Sequence, residues 1–117
     1  MHDFKQLTVW NKAMSMAQSV HELCLKIPDT ERYGLISQMR RAAVSVPSNI
    51  AEGSGRGSNA DFRRFLSIAI GSAYELETQL LLAGRFGYCT DGQIGPLLTQ
   101  MSELQRMLHG LRNSMRD

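Results

Sequence analysis

Apolar residues recur at steps of three and four along nearly the whole chain, and no stretch alternates with period two for long enough to make a strand. That periodicity restricts the fold to packed helices. At 117 residues and 43% hydrophobic content the chain suits one domain with a real core. The spacing predicts helices over about 7–27, 33–53, 59–85 and 91–115. The first carries Trp10, Met14, Ala17, Val20, Cys24 and Ile27 and stops at Pro28. The second carries Ile36, Met39, Ala43, Val46 and Ile50. The third carries Phe62, Phe65, Ala69, Ala73, Leu76, Leu80 and Ala83 after an N-cap at Ser58, with Gly84 and Gly87 closing it. The fourth opens on a Thr90/Gln93 capping box, tolerates Pro96 early, and carries Ile94, Leu97, Met101, Leu104, Leu108, Leu111 and Met115. Alternating three- and four-residue steps with short connections imply an all-α, up-down-up-down antiparallel four-helix bundle.

The segment "RRAAVSVPSNIAEGSGRGS", Arg40 to Ser58, holds a proline, three alternating glycines and three arginines. Ile50 continues the seam that Val46 leaves, so Pro47 reads as a kink within the second helix and frees the carbonyl of Ala43. Gly53 reads as a left-handed C-cap, with Gly55 and Gly57 reversing the chain. A phosphate-cradling loop is the sharper reading, but "GSGRGS" lacks the Lys-Ser/Thr of a P-loop and follows a helix.

The second helix also carries a polar stripe, Gln38, Arg41, Ser45, Ser48 and Glu52. A solvated face is the default reading. Arg41 is expected to pair with Glu75, because a turn centred on Arg56 sets position 41 opposite about 71. On the third helix Ile70, Tyr74 and Leu81 lie off the main seam, and Gly71 would allow close approach, which together suggest a surface between subunits.

Net charge is only +2, yet ten of the thirteen basic residues are arginine, whose planar fork suits phosphate and carboxylate. The antiparallel topology gathers Lys5, Lys12, Arg56, Arg63, Arg64, Arg112 and Arg116 at one end, against Asp3, Glu52, Asp61 and Asp117, for a net +3. The other end, which holds Lys26 and Arg85, nets −1. Arg63 and Arg64 lie near a helix N-terminus, where the macrodipole disfavours cations and favours a bound anion.

Other chemistries find little footing. Cys24 and Cys89 have no CxxC partner and suit reduced thiols. His21 with Cys24, and Glu75 with Glu77, lack the base, orienting group or metal complement that a catalytic or metal site needs, and residues two apart on a helix diverge by about 200°. His2 and His109 stand alone. No enzyme activity, metal or cofactor is expected. No apolar run is long enough to span a membrane and the N-terminus lacks a signal-peptide shape, so a cytoplasmic protein is expected.

The stretches "YGLISQMRRAAVSVPSNIAEGSGR" and "FRRFLSIAIGSAYELETQL" resemble the four-helix-bundle proteins encoded in intervening sequences of large-subunit ribosomal RNA genes. These are similar to the accessory variability determinants of diversity-generating retroelements. The resemblance covers Leu7 to about Gly87 and extends to the last helix only in pattern. It implies a small bundle without enzymatic activity, a barrel-like homopentamer, and, for retroelement members, binding of nucleic acid and contact with a reverse transcriptase. The matching positions are Gln38, Arg41, Ser45, Asn49, Glu52 and Gly53, then Phe62, Phe65, Leu66, Ser72, Glu75 and Glu77. Two functions follow as expectations: an oligomeric accessory protein contacting RNA or DNA phosphates through the arginine-rich end, or an oligomeric protein scaffold that binds no nucleic acid.

Overall fold

The computed structural model describes residues 3–116; the readings of His2 and Asp117 lie outside the described residues. Four helices follow in order: α1 (Thr8–Cys24), α2 (Leu35–Ser54), α3 (Asn59–Arg85) and α4 (Asp91–Ser114), with single 3-10 turns at Phe4–Gln6 and Asp29–Glu31. Each packs on two neighbours in a closed ring, α1 on α2 and α4, α3 on α2 and α4, with α2 and α3 in the most extensive contact. This is the antiparallel four-helix bundle that the periodicity implies.

Local sequence sets the helix ends. Ser58 Oγ accepts the Asp61 amide at 3.2 Å to start α3, and Thr90 and Gln93 form a reciprocal capping box on α4. Gly87, at φ 78°, closes α3: its amide reaches the Gly84 carbonyl and the Tyr88 amide reaches that of Ala83, a Schellman arrangement that a residue with a Cβ would strain. α1 stops at Cys24, short of the expected 27, because the amides of Leu25, Lys26 and Ile27 bond three residues back and tighten the chain ahead of Pro28. α2 starts at Leu35 because residues 29–31 form their own turn, and Glu31 Oε1 accepts the Leu35 amide at 3.3 Å.

Tyr88, beyond α3, donates to Glu31 Oε2 at 2.6 Å, so one carboxylate ties the α2 start to the α3–α4 connection. The Tyr88 bond and then the Leu35 amide hold the Glu31 carboxyl below its ordinary value of 4.5, while the same tyrosine bond raises the Tyr88 phenol. A lowered carboxyl stabilises the fold above its unfolded value and loses that contribution as pH falls through the folded one. A Tyr88→Phe variant should therefore melt below the parent at pH 7, with the gap narrowing as the pH falls below 4; thermal denaturation at both pH values checks this.

The core is built from Val9, Ala13, Met16, Val20, Leu23 and Cys24 of α1, joined by the expected seams of α2, α3 and α4. The α1 reading needs correction: Met14 is 46% exposed and Trp10 and Ala17 are half-buried, because α1 carries two apolar stripes and the one headed by Val9 faces inward. Ile70 also joins the core, whereas Tyr74 and Leu81 remain exposed.

α2 runs unbroken through Pro47 to Ser54. Gly53 lies buried inside it and is not a left-handed cap, since Gly87 is the only described residue at positive φ. A Cβ on Gly53 would sit 2.7 Å from Phe65 Cβ and 2.9 Å from Phe62 Cδ1, so this glycine lets α3 approach α2. Ser45 Oγ and Ser72 Oγ meet at 2.8 Å across the same contact, and Asn49 Nδ2 donates to Ser45 O and Oγ. That register sets Arg41 opposite Leu76 and not near 71. Glu75 is next in the chain to Leu76, yet Arg41 and Glu75 are both exposed on the outer faces of their helices, and among the described residues the expected ion pair does not form.

Both cysteines are free and buried. Burial pushes the Cys24 thiol up against the smaller opposing pull of Arg40, and burial likewise raises Cys89, which keeps both protonated at neutral pH. No described helix is long and apolar enough to cross a membrane.

Candidate nucleic-acid interface

The α3 start and the α4 end lie side by side because the two helices are antiparallel neighbours. The chain beyond α4 fastens this junction. Met115 leaves the helix in an extended conformation, its side chain turns into the core, and its carbonyl accepts Arg63 Nη1 at 3.2 Å. Asn59 Nδ2, in the first turn of α3, donates to the Arg116 carbonyl. Between these elements opens a groove of about 770 Å³ lined by Ala60, Arg63, Arg64, Ser67, Arg112, Asn113, Met115 and Arg116. Among the described residues its lining holds four arginines and no carboxylate.

Each arginine is held differently. Arg64 is exposed, with its Nε 3.7 Å from Asp61 and its guanidinium 4.6 Å from the Phe65 ring centroid. The Asp61 pair is exposed and contributes at most about 1 kcal/mol, so it leaves Arg64 available to an anion. Half-buried Arg112 donates from Nη1 to Ser67 Oγ at 3.3 Å and from Nη2 to His109 Nδ1 at 3.1 Å. His109 Nε2 in turn meets Tyr74 Oη at 3.1 Å. Arg116 follows Met115 at the open rim. The first-turn amides of α3 add the positive end of a 27-residue helix to the same groove.

The structure therefore brings together Arg63, Arg64, Arg112 and Arg116 and separates the other cations from them. Lys12 pairs with Glu103 of α4 at 2.7 Å, which holds the Glu103 carboxyl below its ordinary value. Arg56 reaches back to Glu52 at 3.2 Å and lies 4.8 Å from the Phe65 centroid, on that ring and outside the groove lining. Lys5 sits in the N-terminal turn, 5.9 Å from the Phe4 centroid. Of the residues assigned to structure or an interface, Gln38, Arg41, Glu52, Gly71, Tyr74 and Glu75 are exposed, while Ser45 and Asn49 are half-buried in the α2–α3 network. A Cβ on Gly71 would meet nothing within 4 Å, so the close approach expected there does not occur within one chain. His109, Ser67 and Asn113 escaped sequence reading: Tyr74 and His109 are 35 residues apart, and no spacing rule joins them.

The groove offers fixed donors and positive charge, with no aromatic side chain in its lining on which a base could stack. It suits oxygens of phosphate groups and provides no means of reading sequence. Among the described residues no group of His, Cys, Asp or Glu could hold a metal ion. His21 and Glu75 are exposed, and Glu77 accepts from Gln105 Nε2 at 2.9 Å.

Residues 5–110 match the family model described as 23S rRNA-intervening sequence protein. A solved structure of a protein with unknown function from the S23 ribosomal protein family of Bacteroides thetaiotaomicron superposes with a TM-score of 0.83 at 27% identity, covering 92% of this chain and 100% of that one. No curated protein matches the chain.

Proposed function

Because the chain belongs to the 23S rRNA-intervening sequence protein family, we propose that it is a non-enzymatic, oligomeric accessory protein of the cytoplasm that holds nucleic-acid phosphates in the arginine groove. The observation that carries this reading is the groove lining of four arginines without a described carboxylate. Arginine forks on phosphodiester oxygens supply affinity that is independent of sequence and sensitive to salt. The test is fluorescence anisotropy at low salt with unrelated RNA and DNA oligonucleotides. Similar affinity for all of them is expected, unchanged when Lys26 and Arg85 at the opposite end are replaced by Gln. A parent that binds none of them would favour a scaffold whose partner is a protein. A reverse transcriptase is the further partner that a kinship of this family with accessory variability determinants would imply.

Oligomerisation is part of the proposal. Phe4, Trp10, Met14, Val44 and Pro47 line a groove of about 710 Å³ between α1 and α2, and Leu81, Ile94 and Leu98 line another between α3 and α4. Two unlike apolar patches on opposite sides of a bundle suit head-to-tail contacts, which form a ring when the rotation between copies closes. Light scattering should give a mass well above 13.1 kDa, five times that value if the resemblance holds in full. A monomer at all concentrations would remove the oligomer, and a dimer or tetramer would remove only the pentamer.

A further inference from the structure

One groove arginine, Arg112, is held by a titratable group just outside the groove lining. A guanidinium has only donors, so the 3.1 Å contact between Arg112 Nη2 and His109 Nδ1 requires an unprotonated Nδ1. In the neutral ring the proton then sits on Nε2, which donates to Tyr74 Oη at 3.1 Å. With Ser67 Oγ accepting from Nη1, two neighbours fix the Arg112 guanidinium at the groove wall. Arg112 and His109 are both half-buried, so solvent screens them incompletely.

We propose that His109 is a positioning residue for Arg112 and that it couples phosphate binding in the groove to uptake of one proton. Protonation at Nδ1 turns the acceptor of Arg112 into a donor and sets two cations side by side. The negative charge of a phosphate held by Arg112 relieves the repulsion. The groups facing the ring are Tyr74 from α3, a neutral phenol, and Arg112 from α4; one turn along the same α3–α4 seam the Glu77 carboxylate is engaged by Gln105 Nε2 at 2.9 Å. One turn earlier on α4, Arg106 donates to Ser102 at 3.0 Å, and the Lys12–Glu103 pair that joins α1 to α4 lies nearly two turns away. The phosphate-bound protein therefore holds more protons than the free protein across the range in which imidazoles ordinarily titrate, about pH 5 to 8, and acid favours binding. This inference rests on the phosphate-binding reading of the groove.

The probe is oligothymidylate without terminal phosphates, whose phosphodiesters and bases do not titrate in that range. At constant ionic strength the parent should bind about 3- to 10-fold more tightly at pH 5.5 than at pH 7.5. Calorimetry in two buffers of different ionisation enthalpy should show proton uptake on binding. His109→Gln, whose amide oxygen can accept from Arg112, should fold and bind but lose both the pH dependence and the proton uptake. Nitrogen NMR of the free parent at pH 8 should show the His109 ring protonated at Nε2. Binding that does not change with pH, a His109→Gln variant as pH-dependent as the parent, or a ring protonated at Nδ1 at pH 8 would each overturn the coupling and leave the groove reading intact. No binding at either pH would overturn both.

Discussion

Replacing Arg63, Arg64, Arg112 and Arg116 together with Gln should abolish most of the affinity for nucleic acid while leaving the bundle folded. If each arginine neutralises one phosphate of a single strand, the four contribute about −3 to the slope of log affinity against log salt, at about −0.7 per contact. Their removal should therefore weaken binding by roughly two orders of magnitude at low salt and flatten its salt dependence. Arg64 and Arg116 are exposed, while losing the charged hydrogen bonds of Arg63 to the Met115 carbonyl and of Arg112 to Ser67 costs about 2 kcal/mol each, so the variant should be less stable than the parent yet still folded at room temperature. Circular dichroism and anisotropy on the same preparation separate the two effects. An Arg56→Gln substitution should cost much less, since that side chain lies outside the groove lining.

The second large effect is structural. Gly53→Leu should destabilise the protein by about 3 kcal/mol, the upper end for overpacking, and lower the melting temperature by about 10 °C. Phe65 Cβ, 2.7 Å from the position of the new Cβ, is fixed to its own backbone and cannot swing away, so α2 and α3 must part. Gly53→Ala meets the same obstacle and should forfeit the stabilisation of about 1 kcal/mol that Ala normally brings to a helix. Gly110→Ala is the matched control: it is exposed on α4 with nothing within 4 Å of its Cβ, and it should gain that stabilisation in full. Equal gains at both glycines in denaturant titrations would show that the helices do not touch at Gly53.

These two sites also show how far the sequence can be read. The four helices, the Ser58 cap and the Thr90/Gln93 box follow from period and cap chemistry, both local properties. The α1 core stripe was not legible, because Trp10, Met14 and Ala17 satisfy the same spacing as Val9, Ala13 and Met16, and only the packing of α2 and α4 chooses between them. Gly53 at the end of an apolar seam looks like a cap until Phe62 and Phe65 are laid against it. At the basic end, antiparallel topology was enough to gather seven cations, but charge sorting could not tell Arg63 from Arg56. That distinction depends on the return of Met115, which places Arg63 in the groove lining and leaves Arg56 outside it. The Tyr74–His109–Arg112 chain joins separate helices and leaves no trace in sequence spacing.

Phosphate binding in the arginine groove is tested most directly by the dissociation constant of the parent for one mixed-sequence single strand between about 50 and 200 mM salt. Four phosphate contacts predict a log–log slope of about −3, hence a loss of roughly 50-fold in affinity across that range, and a slope near zero for the variant lacking all four arginines. A parent slope near zero, or the same slope in parent and variant, would contradict it.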